Sequence, residues 1–256
     1  MANALIALGA NLGERDQTLS EAFLALTQIP GTQLRVRSRL HATRPIGGPT
    51  GQGEFLNAAA LLSTSLPPSK LLEELHAIEA AANRKRVERW QARTLDLDLL
   101  LYDAEQIDGE TACGGGPESE GLQVPHPRMS FRRFVLEPAA EVAPWMRHPS
   151  SDWTVTGLLA HLKNAENSIA VGSESKEAVR ILAGKLGKAC PDVRVLHYDP
   201  QQPRAKLVIW LGELPADTVA SKLVLAGPTA VLPMPANDEE RQAVEKEAIA
   251  AVEAAT

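Results

Sequence analysis

"RWQARTLDLDLLLYD", residues 89–103, alternates leucine with aspartate and then runs into Leu99, Leu100 and Leu101. A strand this apolar is expected to be well buried, yet Asp96 and Asp98 lie two apart and so share one face. Two carboxylates on one face repel each other, and aspartate is disfavoured in strands. Two explanations stay open from these residues alone. One is a solvated strand face whose charges neighbouring arginines neutralise. The other is a magnesium site, because Mg²⁺ is held by one or two carboxylates plus substrate phosphates, and two such cations clamp a polyphosphate.

The preceding segment, "NRKRVERWQAR", sharpens the question. It holds Arg84, Lys85, Arg86, Arg89 and Arg93 against Glu88 alone, within a chain of formal net charge −6. Arginine forks match phosphate oxygens bidentately. Cations beside a carboxylate pair are what a metal–nucleotide requires: metal for the bridging oxygens, arginine for the rest. A solvated basic loop that merely balances the aspartates is the plainer alternative. Nucleic-acid binding is disfavoured, because Trp90 is the only aromatic in the patch and the chain as a whole is acidic.

The 256 residues leave room for one large domain or two small ones, and a hydrophobic fraction of 44% argues for a real core. Cys113 and Cys190 form neither a CxxC pair nor a zinc pattern, which suits a reducing compartment. The start, "MANALIALGANLGERD", has no basic leader region, and no stretch approaches the roughly 18 apolar residues of a membrane span. A cytoplasmic protein is the expectation.

Periodicity gives the order of elements. "ALIALG" (4–9) reads as a strand, "TLSEAFLALTQIPG" as a helix ended by Pro30-Gly31, "QLRVRSRLHAT" (33–43) as a strand, and "EFLNAAALLSTS" as another. "PPSKLLEELHAIEAAANRKR" opens with prolines and continues as a helix with Leu71, Leu72, Leu75 and Ile78 on one face. After the leucine/aspartate strand come a Gly-rich loop (109–121), a Pro-bracketed loop leading into a helix, and the short helix "TVTGLLAHL". "KNAENS" (163–168) marks a domain boundary, giving domains of 1–163 and 168–256. Beyond it, strands "SIAVGS", "VRVLHY" and "AKLVIWLG", with a helix between the first two and a terminal helix from about 237, suggest a small α/β domain of βαβ type. Glu239, Glu240, Glu245 and Glu247 on that last helix read as a solvated face.

Other segments carry weaker signals. "VPHPRMSFRRF" offers His126, Arg128, Arg132 and Arg133 with Phe131 and Phe134, either a second phosphate-contacting loop or a structural one. "GANLGER" lacks the Lys-Ser/Thr of a P-loop and the third glycine of a dinucleotide fingerprint, so its glycines are assigned to a tight turn. In "EFLNAAA", Phe55 and Asn57 lie two apart, an aromatic face beside an amide; that suits a flat heterocycle, and equally a core phenylalanine with a turn asparagine.

In this order, "ALGANLGER", "TRPIGGPTGQGEFLNAA", "IEAAANRKRVERWQARTLDLDLL" and "VPHPRMSFRRFVLEPAAEVAP" resemble the 6-hydroxymethyl-7,8-dihydropterin pyrophosphokinase family of the folate pathway, over roughly residues 4–160. The resemblance implies an α+β, ferredoxin-like fold and transfer of pyrophosphate from ATP to the pterin hydroxymethyl group, releasing AMP. Carried over by position, it implies that Asp96 and Asp98 hold two Mg²⁺ ions on the ATP phosphates. Arg84 and Arg93 would stabilise the transferring group, and Asp98 would orient or deprotonate the hydroxyl. Arg86 and Trp90 would belong to a mobile nucleotide-binding loop, with Glu79, His126 and Arg132 contacting ATP. Thr43, Ile46, Phe55, Asn57 and Phe134 would form the pterin pocket.

The pattern departs from the family at Gln91-Ala92, where Gly-Pro is usual, at Asn83 for glycine, and at Phe55 for tyrosine; none removes a required charge. Residues 168–256 match nothing in that family and are too short for the barrel of about 250 residues that the next folate enzyme, dihydropteroate synthase, requires. A structural or self-association role is expected there. The competing class is a nucleotide- or RNA-binding module without catalysis, which predicts binding with a steep salt slope and no AMP. A different kinase on the same scaffold would give ADP.

Overall fold

The computed structural model describes residues 1–46, 53–82, 94–109, 122–201, 204–215 and 227–256. Two sheets organise it. The first is antiparallel, in the order β2-β4-β1-β5, with β3 also paired to β4. Its strands are β1 (Ala2–Ala10), β2 (Thr32–Arg37), β3 (His41–Thr43), β4 (Phe55–Thr64) and β5 (Asp96–Tyr102). The single strand expected over 33–43 is therefore two, broken at Ser38, whose Oγ accepts from the Ala59 N–H at 2.8 Å and carries the chain round the corner.

Side-chain parity decides what each face of this sheet meets. Ala4, Ile6, Leu8 and Ala10 of β1 join one core with α1 (Arg15–Leu26) and α2 (Pro68–Ala81), where Leu19, Phe23, Leu71 and Leu75 are buried. Leu5 and Ala7 join the opposite core, under α3 (Arg133–Val142). β5 follows the same rule until a register shift between Leu5 and Ile6 leaves Leu100 as an extra residue. That bulge reverses the parity of the strand, so Leu97 and Leu99 face the first core while both Leu100 and Leu101 face the second. The triple-leucine run is thus a strand buried on both faces, with its one polar patch at Asp96 and Asp98.

The second sheet is wholly parallel, in the order β7-β6-β8-β9. Its strands are β6 (Ser168–Ser173), β7 (Arg194–His197), β8 (Leu207–Leu211) and β9 (Thr229–Leu232), with α5 (Lys176–Ala189) and α6 (Asp238–Ala255) packed on it. α6 starts in a reciprocal cap. The Asn237 side chain accepts from the Glu240 N–H at 2.9 Å, and the Glu240 carboxylate accepts from the Ala236 N–H at 2.8 Å. Residues 165–167 link α4 (Val155–Asn164) to β6, yet the second core does not stop there. It runs from Leu101 through Leu136 and Leu158 to Ile169, Ile209 and Val252 without interruption. No helix among the described residues is long and apolar enough to cross a membrane.

Candidate active site

The α3 side of the first sheet carries a row of three aligned positions. Gly9 of β1 stands opposite Asn57 on β4 and opposite Asp96 on β5, and Ala7 stands opposite Asp98. The absence of a side chain at Gly9 makes a notch between the amide and the carboxylate: a Cβ there would lie 3.4 Å from Asn57 Oδ1 and 4.0 Å from Asp96 Cβ. The Asn57 Nδ2 donates to Thr43 Oγ1 at 2.7 Å, so the amide is fixed with its carbonyl oxygen towards the notch.

Above this floor opens a cavity of about 1150 Å³. Asp96, Asp98, Asn57, Thr43, Phe55 and Phe134 all line it, and so do Ile46 and Arg132. The sequence therefore brings its carboxylate pair, its amide and its two phenylalanines to one space. Asp96 and Asp98 are partly exposed, while the leucines between and beyond them are buried, so the strand is rigid where its carboxylates are wet. Among the described residues no group of three or more histidine, cysteine or carboxylate side chains could hold a metal. Two carboxylates on one strand face can supply part of the oxygen shell of a hard cation, which takes its remaining ligands from phosphate and water.

The segment after the Val124-Pro125 cis bond brings Pro127, Arg128 and Arg132 to the cavity wall, while His126, expected against the nucleotide, is not among the lining residues and lies beside Asp98. The His126 N–H donates to the Leu100 carbonyl at 2.9 Å, anchoring the loop to the end of β5. His126 Nδ1 accepts from the Arg128 N–H at 3.1 Å, which turns Nε2 towards Asp98 Oδ2, 3.9 Å away. That separation is too long for a hydrogen bond and short enough for charge attraction when the ring is protonated. Arg132 places its guanidinium carbon 5.6 Å from the Phe134 ring centre, a cation–π contact at the cavity wall.

Glu79, expected against the nucleotide, is 2% exposed and is not part of the cavity lining. Its Oε1 accepts from the Leu97 N–H at 2.8 Å, tying α2 to the strand between the two aspartates. Arg84, Arg86, Trp90 and Arg93 lie outside the described residues, as do Asn83 and Gln91-Ala92.

Three features of the cavity are not among the residues singled out as its parts from sequence. Gly9 lies in the strand floor instead of in the turn assigned to the "GANLGER" glycines; Gly13, with φ +63°, occupies that turn. His148 lines the cavity with its Nδ1 buried and without a hydrogen-bond partner, and burial pushes its pKa down to about 4. Glu247 also lines the cavity and is paired with Arg128, so the acidic face of α6 is not simply solvated. A carboxylate one helix turn before Ala250 and Ala251 gave no signal of a partner more than a hundred residues away.

Comparison with known proteins agrees with the motif pattern. The family model for 7,8-dihydro-6-hydroxymethylpterin-pyrophosphokinase (HPPK) matches residues 5–144. The 2-amino-4-hydroxy-6-hydroxymethyldihydropteridine pyrophosphokinase of Haemophilus influenzae is 40% identical over 151 residues, covering 59% of this chain and 88% of the relative. That of Bacillus subtilis is 42% identical over 139 residues, 54% of this chain and 77% of the relative. The bifunctional protein FolKE of Lactococcus lactis is 30% identical over 180 residues, 69% of this chain and 47% of the relative. Among solved structures, Plasmodium falciparum HPPK-DHPS wild type with STZ-DHP superposes with a TM-score of 0.50 at 12% identity, covering 82% of this chain and 55% of that one, a likeness of fold alone. Residues 145–256 lie outside the matched segment.

Proposed function

The chain belongs to the 7,8-dihydro-6-hydroxymethylpterin-pyrophosphokinase family, and from that premise we infer how its cavity works. The protein is a pyrophosphokinase of folate biosynthesis, with ATP and 6-hydroxymethyl-7,8-dihydropterin as substrates. One observation carries the assignment of roles: the carboxylates of Asp96 and Asp98 face the same cavity as Phe55, Phe134 and the Asn57–Thr43 pair. A flat heterocycle fits between the two phenylalanines, with Ile46 closing its edge. Asn57 Oδ1 accepts from a ring N–H at the Gly9 notch.

Asp96 and Asp98 would hold Mg²⁺, and the donor set fits. Two carboxylates fixed on a buried strand leave most coordination positions to phosphate oxygens. When bound, the metal neutralises charge on the phosphates and aligns them. The remaining work belongs to this chain's own groups. Asp98 orients the pterin hydroxyl and accepts its proton, with His126 Nε2 close enough to respond to that change of charge. Arg132 lies against Phe134, where it can meet ATP phosphates while the ring it touches meets the pterin. Arg84 and Arg93 supply further positive charge to the transferring group, and Arg86 and Trp90 contact the nucleotide. Glu79 acts from behind the site, holding the aspartate strand in register. Attack at the β-phosphorus forms the new P–O bond to the pterin and expels AMP, and positioning with charge neutralisation supplies most of the acceleration.

We take residues 1–163 as the kinase domain and residues 168–256 as an α/β unit that shares its core, with the reaction assigned to the cytoplasm. A product assay tests the reading. ATP, Mg²⁺ and the dihydropterin should yield AMP in step with pterin consumption. ADP as the nucleotide product, or AMP formed equally without pterin, would contradict it.

A further inference from the structure

The cavity is not closed by the family domain alone. Thr229, Val231 and Leu232 of β9 and Glu247, Ala250 and Ala254 of α6 also line it, so part of the wall comes from beyond the segment that the family model matches. We propose that Glu247 is a positioning residue of the transfer site: its carboxylate holds Arg128, and through it the turn that carries Arg132 and Phe134 into the cavity. The inference rests on the pyrophosphokinase reading and extends it to the C-terminal unit.

The geometry that supports it starts with the helix. Val244, Ala248, Ala251 and Ala255 recur at helical spacing and are buried, which fixes the rotation of α6. That rotation puts Glu247, Ala250 and Ala254 on an adjoining stripe facing the cavity. The alanines are small, so the helix comes close to the tight turn Met129–Phe131, all three residues of which are buried. Glu247 Oε1 accepts from Arg128 Nη2, with the two side chains only 31% and 20% exposed on the arginine and glutamate sides. A pair this shielded is worth more than a surface ion pair, and removing one partner leaves a charge poorly compensated. A second tie lies on the other side of the turn: Arg133 Nη1 donates to the Thr256 carbonyl oxygen at the end of the same helix. Arg132 therefore sits between two residues, Arg128 four positions before it and Arg133 directly after it, that are each bound to α6.

Charge gives the pairing a further consequence. Arg128 lines the same cavity as Asp96 and Asp98, and an arginine released from Glu247 would be drawn to those carboxylates or to the phosphates they serve. The carboxylate on α6 keeps that cation in place and leaves Arg132 as the arginine presented to the nucleotide.

Steady-state kinetics on the full chain test this, comparing wild type, Glu247→Gln, Glu247→Arg and the reversed pair Glu247→Arg/Arg128→Glu, with thermal midpoints measured alongside. Glu247→Gln should raise KM for both ATP and the dihydropterin about fivefold, the effect expected when one partly shielded ion pair is lost. kcat should stay within about twofold, and the thermal midpoint, which falls when a shielded pair loses one partner, shows that each assayed variant is still folded. Glu247→Arg alone should be worse, and the reversed pair should recover most of the lost KM. Unchanged KM values in Glu247→Gln, or a reversed pair no better than Glu247→Arg, would overturn the positioning role while leaving the transfer reading intact. A folded wild-type chain that forms no AMP would overturn both.

Discussion

The Leu97 N–H donates to Glu79 Oε1 at 2.8 Å, so a buried carboxylate from α2 grips the strand midway between Asp96 and Asp98. Among the described residues β5 is an edge strand paired only with β1, and Leu97 lies before its leucine run, on the segment that carries both carboxylates. A side-chain acceptor there does what a neighbouring strand does elsewhere.

Glu79→Ala should cost about 1–3 kcal/mol of folding stability, the penalty for leaving a buried N–H without an acceptor. Activity should fall further than stability alone explains, since both aspartates move with the strand. Glu79→Gln, which keeps an acceptor, should retain more of both. Urea unfolding and initial rates on the same preparations separate the two effects.

The floor of the cavity gives a second expectation. Gly9 leaves a notch between Asn57 and Asp96, and a branched side chain would fill it. Gly9→Val should raise KM for the dihydropterin by at least about tenfold, equivalent to about 1.4 kcal/mol of binding, with a smaller effect on ATP. Equal loss for the two substrates would show that the notch does not serve the ring.

His148 makes stability depend on pH. Its pKa is pushed from 6.5 down to about 4 by burial, so the unfolded chain takes up the proton first as pH falls. The stability that comes from keeping the ring neutral is complete above about pH 6.5 and is lost progressively between about 6.5 and 4, by at most about 3 kcal/mol. His148→Gln should flatten that part of the curve. Glu141 loses stability in the same direction over a lower range: hydrogen bonds from Arg39 hold its carboxyl down to about 2, so its contribution is complete above about pH 4.5 and is lost progressively between about 4.5 and 2. Solvent around the exposed Arg39 keeps that contribution small.

The shared core predicts that the two sheets unfold together. A Cβ at Gly172 would lie 2.5 Å from the Trp210 ring and 3.0 Å from Tyr198 Cβ, so Gly172→Ala displaces the buried Trp210 ring from its packing on the second sheet. Overpacking of this kind costs about 1–3 kcal/mol. The whole chain should show one transition, shifted to lower denaturant, when followed both by Trp fluorescence and by loss of activity. Two separated transitions would mean that the core joining Leu101 to Ile209 does not couple them.

Much of the site was legible because its parts are local. The D-x-D spacing, the Phe55/Asn57 spacing and the Pro-bracketed loop each place side chains by strand parity or short-range turn chemistry. The break at Ser38 was hidden because 33–43 alternates throughout, while the corner is held by Ser38 Oγ accepting from the Ala59 N–H and the Ser38 N–H donating to the Ala59 carbonyl. Gly9 was hidden because its use depends on what stands beside it on two other strands. Glu247 was hidden for the same reason at longer range: a helix face rich in glutamate looks solvated until the fold brings Arg128 to it.

The most direct test of the central claim is a magnesium titration of AMP formation by wild type, Asp96→Asn and Asp98→Asn, each shown to be folded. Wild type should form AMP only with both Mg²⁺ and the dihydropterin. Asp98→Asn should lose at least about a hundredfold in kcat, the scale of a lost acid–base group, and Asp96→Asn should require far more Mg²⁺ to reach half-maximal rate. Folded variants that match wild type in rate and in Mg²⁺ requirement would contradict the assignment of transfer to these two carboxylates.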